Sequence, residues 1–261
     1  MLTQNQLKHI SALHVKKYRE EFSRFIAEGH KLVTDLVAGD FNIEGIYASA
    51  GWIVANLAVV KEKSIPVFET LPREMERISA LASPSPVLAV VSVPVTDDVS
   101  WRGKAGEELI LALDDIRDPG NFGTIIRIAD WFGINTVLCS CSCVETFSPK
   151  VVQATMGSIA RVQVVRCDLA EALSAPPVSR EGFPVYGAFL EGESLYSLAP
   201  AGHGIILIGN ESRGISSGLL PLVNRKIFIP SYGNSLSGKA ESLNASIATA
   251  IICAEFRRDA R

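Results

Sequence analysis

The chain has 261 residues, 48% of them hydrophobic and 20% charged, and a formal net charge of −3. This is material for one large domain or two ordinary ones with a sizeable core, and it excludes nucleic-acid binding by overall charge, leaving only a local basic patch for that purpose. The N-terminus has no apolar signal core and no run approaches the ~18 apolar residues of a membrane span, so a cytoplasmic protein without a membrane segment is expected.

Along the chain, residues 6–38 carry apolar residues at mixed three- and four-residue intervals and read as helical, with Gly29 as a break and Gly39 as a stop. "IEGIYAS" and "PVFET" read as short strands, "PREMERISAL" as a helix and "PVLAVVSVP" as a buried strand. Within residues 8–31, Lys8, Lys16, Lys17, Arg19, Arg24 and Lys31 stand against Glu20, Glu21 and Glu28. They form either an RNA-facing surface or a solvated helix face. The polar, aperiodic stretch 95–108 reads as a linker. The expected division is therefore an N-terminal domain over 1–98, a linker over 99–106 and a second domain over 107–261.

Beyond the linker, strands are predicted at 109–115, 136–142, 161–167, 184–190, 204–209 and 226–230. Helices are predicted at 123–132, 149–158, 168–174, 215–223 and 242–258. Alternation of apolar strands and helices implies an α/β domain with a mostly parallel sheet covered on both faces. In "CSCSC", Cys139, Cys141 and Cys143 would share one face of a strand, as buried reduced thiols rather than zinc ligands. Neither the cysteines nor the four histidines have metal-ligand spacing, and no metal is expected.

Ligands on parallel sheets sit beyond the carboxyl ends of the strands. Three loops there are rich in polar residues and glycine: 115–123, 209–214 and 230–242. In the first, "DDIRDPGNFGTIIRIADWFG", Asn121 can cap the helix after it. Arg127 is a cation near the positive end of that helix, which points to an anionic partner, or else to a surface pair with Asp118 or Asp130. In the second, "GIILIGNESRGIS", the Gly209–Asn210 turn sets Glu211 at a strand end, suiting a ligand with hydroxyls or amines better than a polyphosphate. In the third, Gly233, Gly238 and Lys239 match G-x-x-x-x-G-K, yet Ala240 replaces the hydroxyl and no strand-borne magnesium site follows. A phosphate loop is rejected on that context, and a dinucleotide fold is rejected because no G-x-G-x-x-G joins a strand to a helix.

Together, "DPGNFGTIIRIADWFG", "IILIGNESRGIS" and "IPSYGNSLSGKAESLNASIATAIICAEF" resemble motifs 1, 2 and 3 of the SpoU (TrmH) branch of the SPOUT RNA methyltransferases, in the family's order. The resemblance covers about residues 107–258. "KKYREEFSRFIAEGHKLVTDLV" and "SPSPVLAVV" are similar to the family's L30e-like substrate-binding extension. The resemblance implies a deep trefoil knot in the C-terminal domain, a homodimer formed through that domain, and methyl transfer from S-adenosyl-L-methionine to a ribose 2′-hydroxyl of structured RNA, tRNA or rRNA. It assigns catalytic roles to Arg127, Asn121, Glu211, Ser242 and Asn244, and cofactor contacts to Leu207, Gly209, Asn210, Ile229, Pro230 and Leu243. Many relatives have a shorter third loop, and a Met where this chain has Ser231 after Pro230. That departure keeps open an alternative, an inactive RNA-binding protein on the same scaffold.

Overall fold

The computed structural model describes residues 2–95, 99–232 and 242–258. Its first part runs α1 (Gln4–Ala12), α2 (Lys16–Phe22), β1 (Arg24–Glu28), α3 (His30–Ala38), β2 (Ile43–Ala48), α4 (Ala50–Glu62), β3 (Val67–Glu69), α5 (Pro72–Ile78) and β4 (Val87–Ser92). There follow β5 (Leu109–Leu113), α6 (Pro119–Trp131), β6 (Thr136–Cys139), α7 (Pro149–Ala154), β7 (Gln163–Arg166), α8 (Leu169–Ser174), β8 (Val185–Phe189), β9 (Glu193–Ser194), β10 (Gly204–Ile208), β11 (Arg225–Phe228) and α9 (Ala245–Phe256). These elements fall into two units, Met1–Val95 with Glu145–Arg161, and Thr96–Val144 with Val162–Arg261. The segment Glu145–Arg161, beyond the sequence linker, thus packs within the first unit. The Gly-Lys pair of the third loop, Gly238 and Lys239, lies outside the described residues.

The first unit is built on a four-stranded sheet in the order β1-β4-β2-β3, antiparallel except for the β2–β3 pair. Its strands are apolar on both faces, with the period of two that a pleated strand imposes. Phe25, Ala27, Val87, Ala89 and Val91 join one core with Leu32, Val33 and Leu36 of α3. Ile26, Leu88 and Val90 join a second core with Leu7 and Ile10 of α1 and Ile78 of α5.

Two elements here differ from the sequence reading. β1 lies inside the run predicted as helix, because Ser23 takes a left-handed conformation (φ 52) that ends α2 and turns the chain into extended structure. Residues 50–62 form a helix that periodicity does not reveal. Its apolar residues go all the way round, and Val54, Leu57 and Val59 are exposed.

Four of the six N-terminal basic residues are already engaged. Arg19 is buried, donating through Nε and NH2 to Glu145 at 2.7 and 2.6 Å and through NH1 to Leu13 O at 2.7 Å. Arg24 pairs with Glu44, Lys31 with Asp35, and Lys16 with Glu20. Glu28 is buried as well, its carboxylate accepting from Ser79 Oγ and the N–H groups of Ala80 and Ser85. The basic run of the sequence is therefore in part internal scaffolding.

The second unit carries a seven-stranded sheet in the order β7-β6-β5-β10-β8-β11-β9, with every pairing parallel. All its carboxyl ends therefore lie along one edge. One face, including Ile110, Ala112, Val185, Ile205 and Leu207, packs against Leu169 and Leu173 of α8 and the buried Trp101. On the other face α9 reaches β8, where Phe256 meets Tyr186 edge-on at 4.7 Å, and α6 packs on α9.

The six predicted strands are present, and β9 adds a seventh. The helix predicted at 215–223 is replaced by a turn and a short 3-10 segment at Leu220–Leu222. Pro221 lacks the N–H a helix interior needs. Nor do the three cysteines share a strand face. β6 ends at Cys139, and the chain then turns, leaving Cys141 exposed and Cys143 buried.

Breaking one partner of a buried ion pair leaves the other charge unsolvated, at a cost of about 3–5 kcal/mol. Replacing Glu145 by Ala should lower unfolding stability by about 3 kcal/mol for that reason, seen as an earlier urea midpoint. A midpoint within experimental error of the wild type would mean that Arg19 finds other solvation.

Candidate active site

Strand order reverses direction at the β5–β10 pair: the chain moves from β5 outward to β6 and β7, then returns across the sheet to β8, β10 and β11. Such a switch point opens a crevice at the carboxyl edge. Gly204 to Ile208 pair in register with Leu109 to Leu113, so the turns after the two strands begin level with each other.

The turn after β5 begins with two buried acids. Asp114 accepts from the Ser216 N–H, and Asp115 sits in a left-handed conformation (φ 57), which Asp tolerates better than most residues. The backbone of this turn is fixed from behind. Ser140 Oγ accepts the Asp115 N–H at 3.0 Å, Cys143 Sγ accepts the Ile116 N–H at 3.3 Å, and the same thiol donates to Leu113 O at 3.2 Å. Burial pushes the Cys143 pKa up, against smaller opposing hydrogen bonds, so it stays a neutral thiol.

α6 then starts at Pro119, four residues earlier than predicted, and its cap is Asp118, whose carboxylate accepts the Asn121 N–H at 2.7 Å. Asn121 is thus not the cap. It stands in the first turn, and its side chain is available for other partners.

The turn after β10 is closed on itself. Asn210 and Gly214 exchange backbone hydrogen bonds of 3.0 and 2.8 Å, while Asn210 Oδ1 accepts from the N–H groups of Ser212 and Arg213. Asn210 Nδ2 donates across to Asp115 O at 2.9 Å, joining the two turns. A Cβ at Gly209 would lie 2.4 Å from Gly214 C and Ile215 N, so only glycine fits there.

This geometry presents Glu211 to Asn121, whose Nδ2 donates to Glu211 Oε1 at 2.6 Å. Asn244 caps α9, its Oδ1 accepting from the Ser246 and Ile247 N–H groups at 2.9 and 3.3 Å. Its Nδ2 donates to Asn121 Oδ1 at 2.8 Å. The cap fixes the orientation of the chain of amides. Asn244 Oδ1 must face the helix N–H groups, so its amine faces Asn121, whose own amine must then face the carboxylate. Glu211, Asn121 and Asn244 thus form one directed polar chain.

The structure does not bring every expected residue into this chain. Ser242 is exposed and makes no hydrogen bond among the described residues, and the hydroxyl that joins the cluster is that of Ser246, 2.6 Å from Asn244 Oδ1 and 3.5 Å from Asn121 Oδ1. Arg127 is exposed, makes no ion pair among the described residues, and lies six residues beyond Asn121 on α6, about 9 Å along the axis. Leu207 is fully buried mid-strand. Ile229 and Pro230 lie past the last paired residue of β11, and Leu243 is 45% exposed just before α9. The sequence reading missed Asp114, Asp115 and Ser246. Paired acids directly after an apolar strand were the available signal for the first two.

The comparisons with known proteins bear on this geometry. Residues 108–254 match the model of the SpoU rRNA Methylase family. The chain belongs to the SpoU rRNA methylase family. In this SpoU-family chain, residues 4–89 also match an MRM3-like substrate binding domain. The chain is 38% identical to a TrmH-family protein from Porphyromonas gingivalis, covering 99% of each chain with a TM-score of 0.84. It is 30% identical to an AdoMet-bound rRNA methyltransferase from Sinorhizobium meliloti, covering 99% of this chain and 96% of that one, with a TM-score of 0.85. It is also 27% identical to the 23S rRNA (guanosine(2553)-2'-O)-methyltransferase RlmP of Bacillus subtilis, covering 97% of this chain and 96% of that protein.

The double role of Asn244 separates by substitution. N244A removes the cap and the bond to Asn121 together and should cost about 2 kcal/mol. N244D keeps the capping oxygens and loses only the bond to Asn121, so it should cost about 1 kcal/mol. Denaturant midpoints for both variants check this, and equal losses would show that the cap is not what holds α9.

Proposed function

We propose that this SpoU-family protein is an RNA methyltransferase that uses S-adenosyl-L-methionine to methylate a ribose 2′-hydroxyl of tRNA or rRNA. The observation that carries the reading is the Glu211–Asn121–Asn244 chain, standing at the switch point of a parallel sheet in a chain whose family is known from the match over 108–254. Residues 107–261 would perform the transfer and residues 1–98 would help hold the RNA. On this reading the protein works in the cytoplasm. The trefoil knot belongs to the same reading, although residues 233–241 lie outside the described residues.

The cofactor fits the chemistry of the carboxyl edge. Gly209, Ile229 and Pro230 follow the last paired residues of β10 and β11, and Leu243, exposed just before α9, offers apolar surface. Backbone groups and aliphatic side chains of this kind suit an adenine ring. Asn210 would act through the turn rather than by contact, since its side chain is used in closing it. Bound S-adenosyl-L-methionine supplies an electrophilic methyl group on a sulfonium.

The residues of the chain do the rest. Positioning a hydroxyl in line with that carbon contributes on the order of 7 kcal/mol in favourable cases. Asn121, Asn244 and Glu211 would hold the ribose, the carboxylate accepting from a hydroxyl through the oxygen that Asn121 does not use. Ser242, exposed at the entry to α9, would contact RNA or cofactor. Arg127, a planar cation, would bind an adjacent RNA phosphate and stabilise negative charge developing on the ribose oxygen as the hydroxyl proton passes to solvent.

A homodimer through the C-terminal unit completes the reading. Trp131 on α6 is 84% exposed, and Ile247 on α9 is 52% exposed. Large apolar side chains on two helices that pack together support a protein partner there.

Incubation with methyl-labelled S-adenosyl-L-methionine and ribosomal RNA should yield label in alkali-resistant dinucleotides, the signature of 2′-O-methylation. R127K keeps the charge but loses the planar fork and should lower turnover at least tenfold; near-normal turnover would sink the phosphate-binding role. Replacing Trp131 by Glu should convert the protein to monomers in sedimentation equilibrium, and an unchanged mass would remove α6 from the interface.

A further inference from the structure

Asp115 does more than close a turn. Its carboxylate is 10% exposed and accepts from two arginines, Oδ1 from Arg117 Nε at 2.7 Å and Oδ2 from Arg213 NH2. Both arginines are largely in solvent, 62% and 60% exposed. At Asp115 itself two guanidinium groups share one carboxylate and repel each other across it, although Asp114, Asp118 and Glu211 stand in the same two turns. Arg117 uses only its Nε, and Arg213 only one terminal amine. Among the described residues neither guanidinium makes another hydrogen bond. Each therefore keeps an outward edge of donors, in the forked geometry that matches phosphate oxygens.

The pair is held by backbone rather than by flexible tethers. Asp115 is fixed by its left-handed conformation, by Ser140 Oγ behind its N–H, and by Asn210 Nδ2 at its carbonyl. Arg213 sits in the Asn210–Gly214 turn, two residues after Glu211, and Arg117 lies four residues before Asn121. The two forks thus belong to the same two turns that carry the amide–carboxylate chain. We propose that Arg117 and Arg213, braced by Asp115, form a clamp for one backbone phosphate of the RNA next to the ribose that is methylated. This assignment rests on the methyltransferase reading for the identity of the anion. The same chemistry could instead receive the carboxylate of the cofactor, and the test distinguishes the two.

The test uses R117Q, R213Q, the double glutamine variant, and R117K and R213K, all in the full chain. Binding of a short fluorescein-labelled RNA oligonucleotide of mixed sequence is followed by anisotropy across a salt series. Loss of a phosphate contact should reduce the slope of log affinity against log salt by about 0.7 for each arginine removed, and by about 1.4 in the double variant. The lysine variants keep the charge and should keep the slope, while binding more weakly for want of the fork. Affinity for S-adenosylhomocysteine, measured by calorimetry, should not change in any variant.

An unchanged slope in the double variant would overturn the clamp. So would a fall in S-adenosylhomocysteine affinity with the RNA slope intact, or a wild type whose RNA binding ignores salt. If the wild type transfers no methyl group but the slopes fall as stated, the phosphate clamp stands and the methyl-transfer reading alone fails. Equal thermal midpoints for the lysine variants and the wild type separate a binding role from loss of the turn.

Discussion

The parallel pairing of β5 with β10 is the constraint on which the site depends. The two strands match from Gly204↔Leu109 to Ile208↔Leu113 and end level, so the turns that follow them start from the same edge. Two cross-links then join these turns, Asn210 Nδ2 to Asp115 O and the Ser216 N–H to Asp114 Oδ2. A slip of one residue would move each turn by about 3.3 Å and invert the faces of a strand buried on both sides. Neither the 2.6 Å contact of Asn121 with Glu211 nor its direction would survive that shift. The apolar packing of the sheet therefore sets the register, and the register sets the chemistry.

α9 supplies the second condition. A helix N-terminus leaves N–H groups without partners, and Asn244 satisfies two of them with a single oxygen. Its remaining amine is then committed to Asn121, and Asn121 to the carboxylate. The bond from Asn244 to Asn121 joins two neutral amides and contributes about 0.5–1.5 kcal/mol, so the bonds that orient the site also tie α9 to the first turn of α6. Cap and site are one object.

Legibility in the sequence followed the physics of each element. Apolar strands alternating with helices disclosed the parallel sheet, because period and apolar content are properties of single segments. Asn121, Glu211 and Asn244 were singled out by the resemblance to the three family motifs, and the structure brings their side chains together. The cap of α6 was misplaced because Asp118 and Asn121 are both good capping residues, and only the backbone decides between them. β1 was hidden because the left-handed turn at Ser23 has no glycine to announce it. The helix predicted over 215–223 failed because the helical spacing of Ile215 and Leu219 was weighed above Pro221, which lacks the N–H a helix interior needs. The clustering of Glu145–Arg161 with the first unit, which includes the Arg19–Glu145 pair, rests on contacts across long separations that have no local signature.

Charge completes the picture of how an acidic chain can hold RNA. With a net charge of −3 there is no overall attraction, so each phosphate contact must come from a cation whose own protein partners leave it donors to spare. In the first unit Arg19 is buried with its donors turned inward and Arg24 is paired, while Lys16 and Lys31 stay exposed, each giving one of three N–H donors to a carboxylate. In the second unit Arg117, Arg213 and Arg127 are exposed, and two of them are steered by a buried carboxylate. Contacts to phosphate position a nucleic acid without reading its sequence. Arginines at the reaction turns would therefore fix the ribose against the amide chain. Choice among RNA molecules would then fall to other surfaces, residues 4–89 with their match to an MRM3-like substrate binding domain among them.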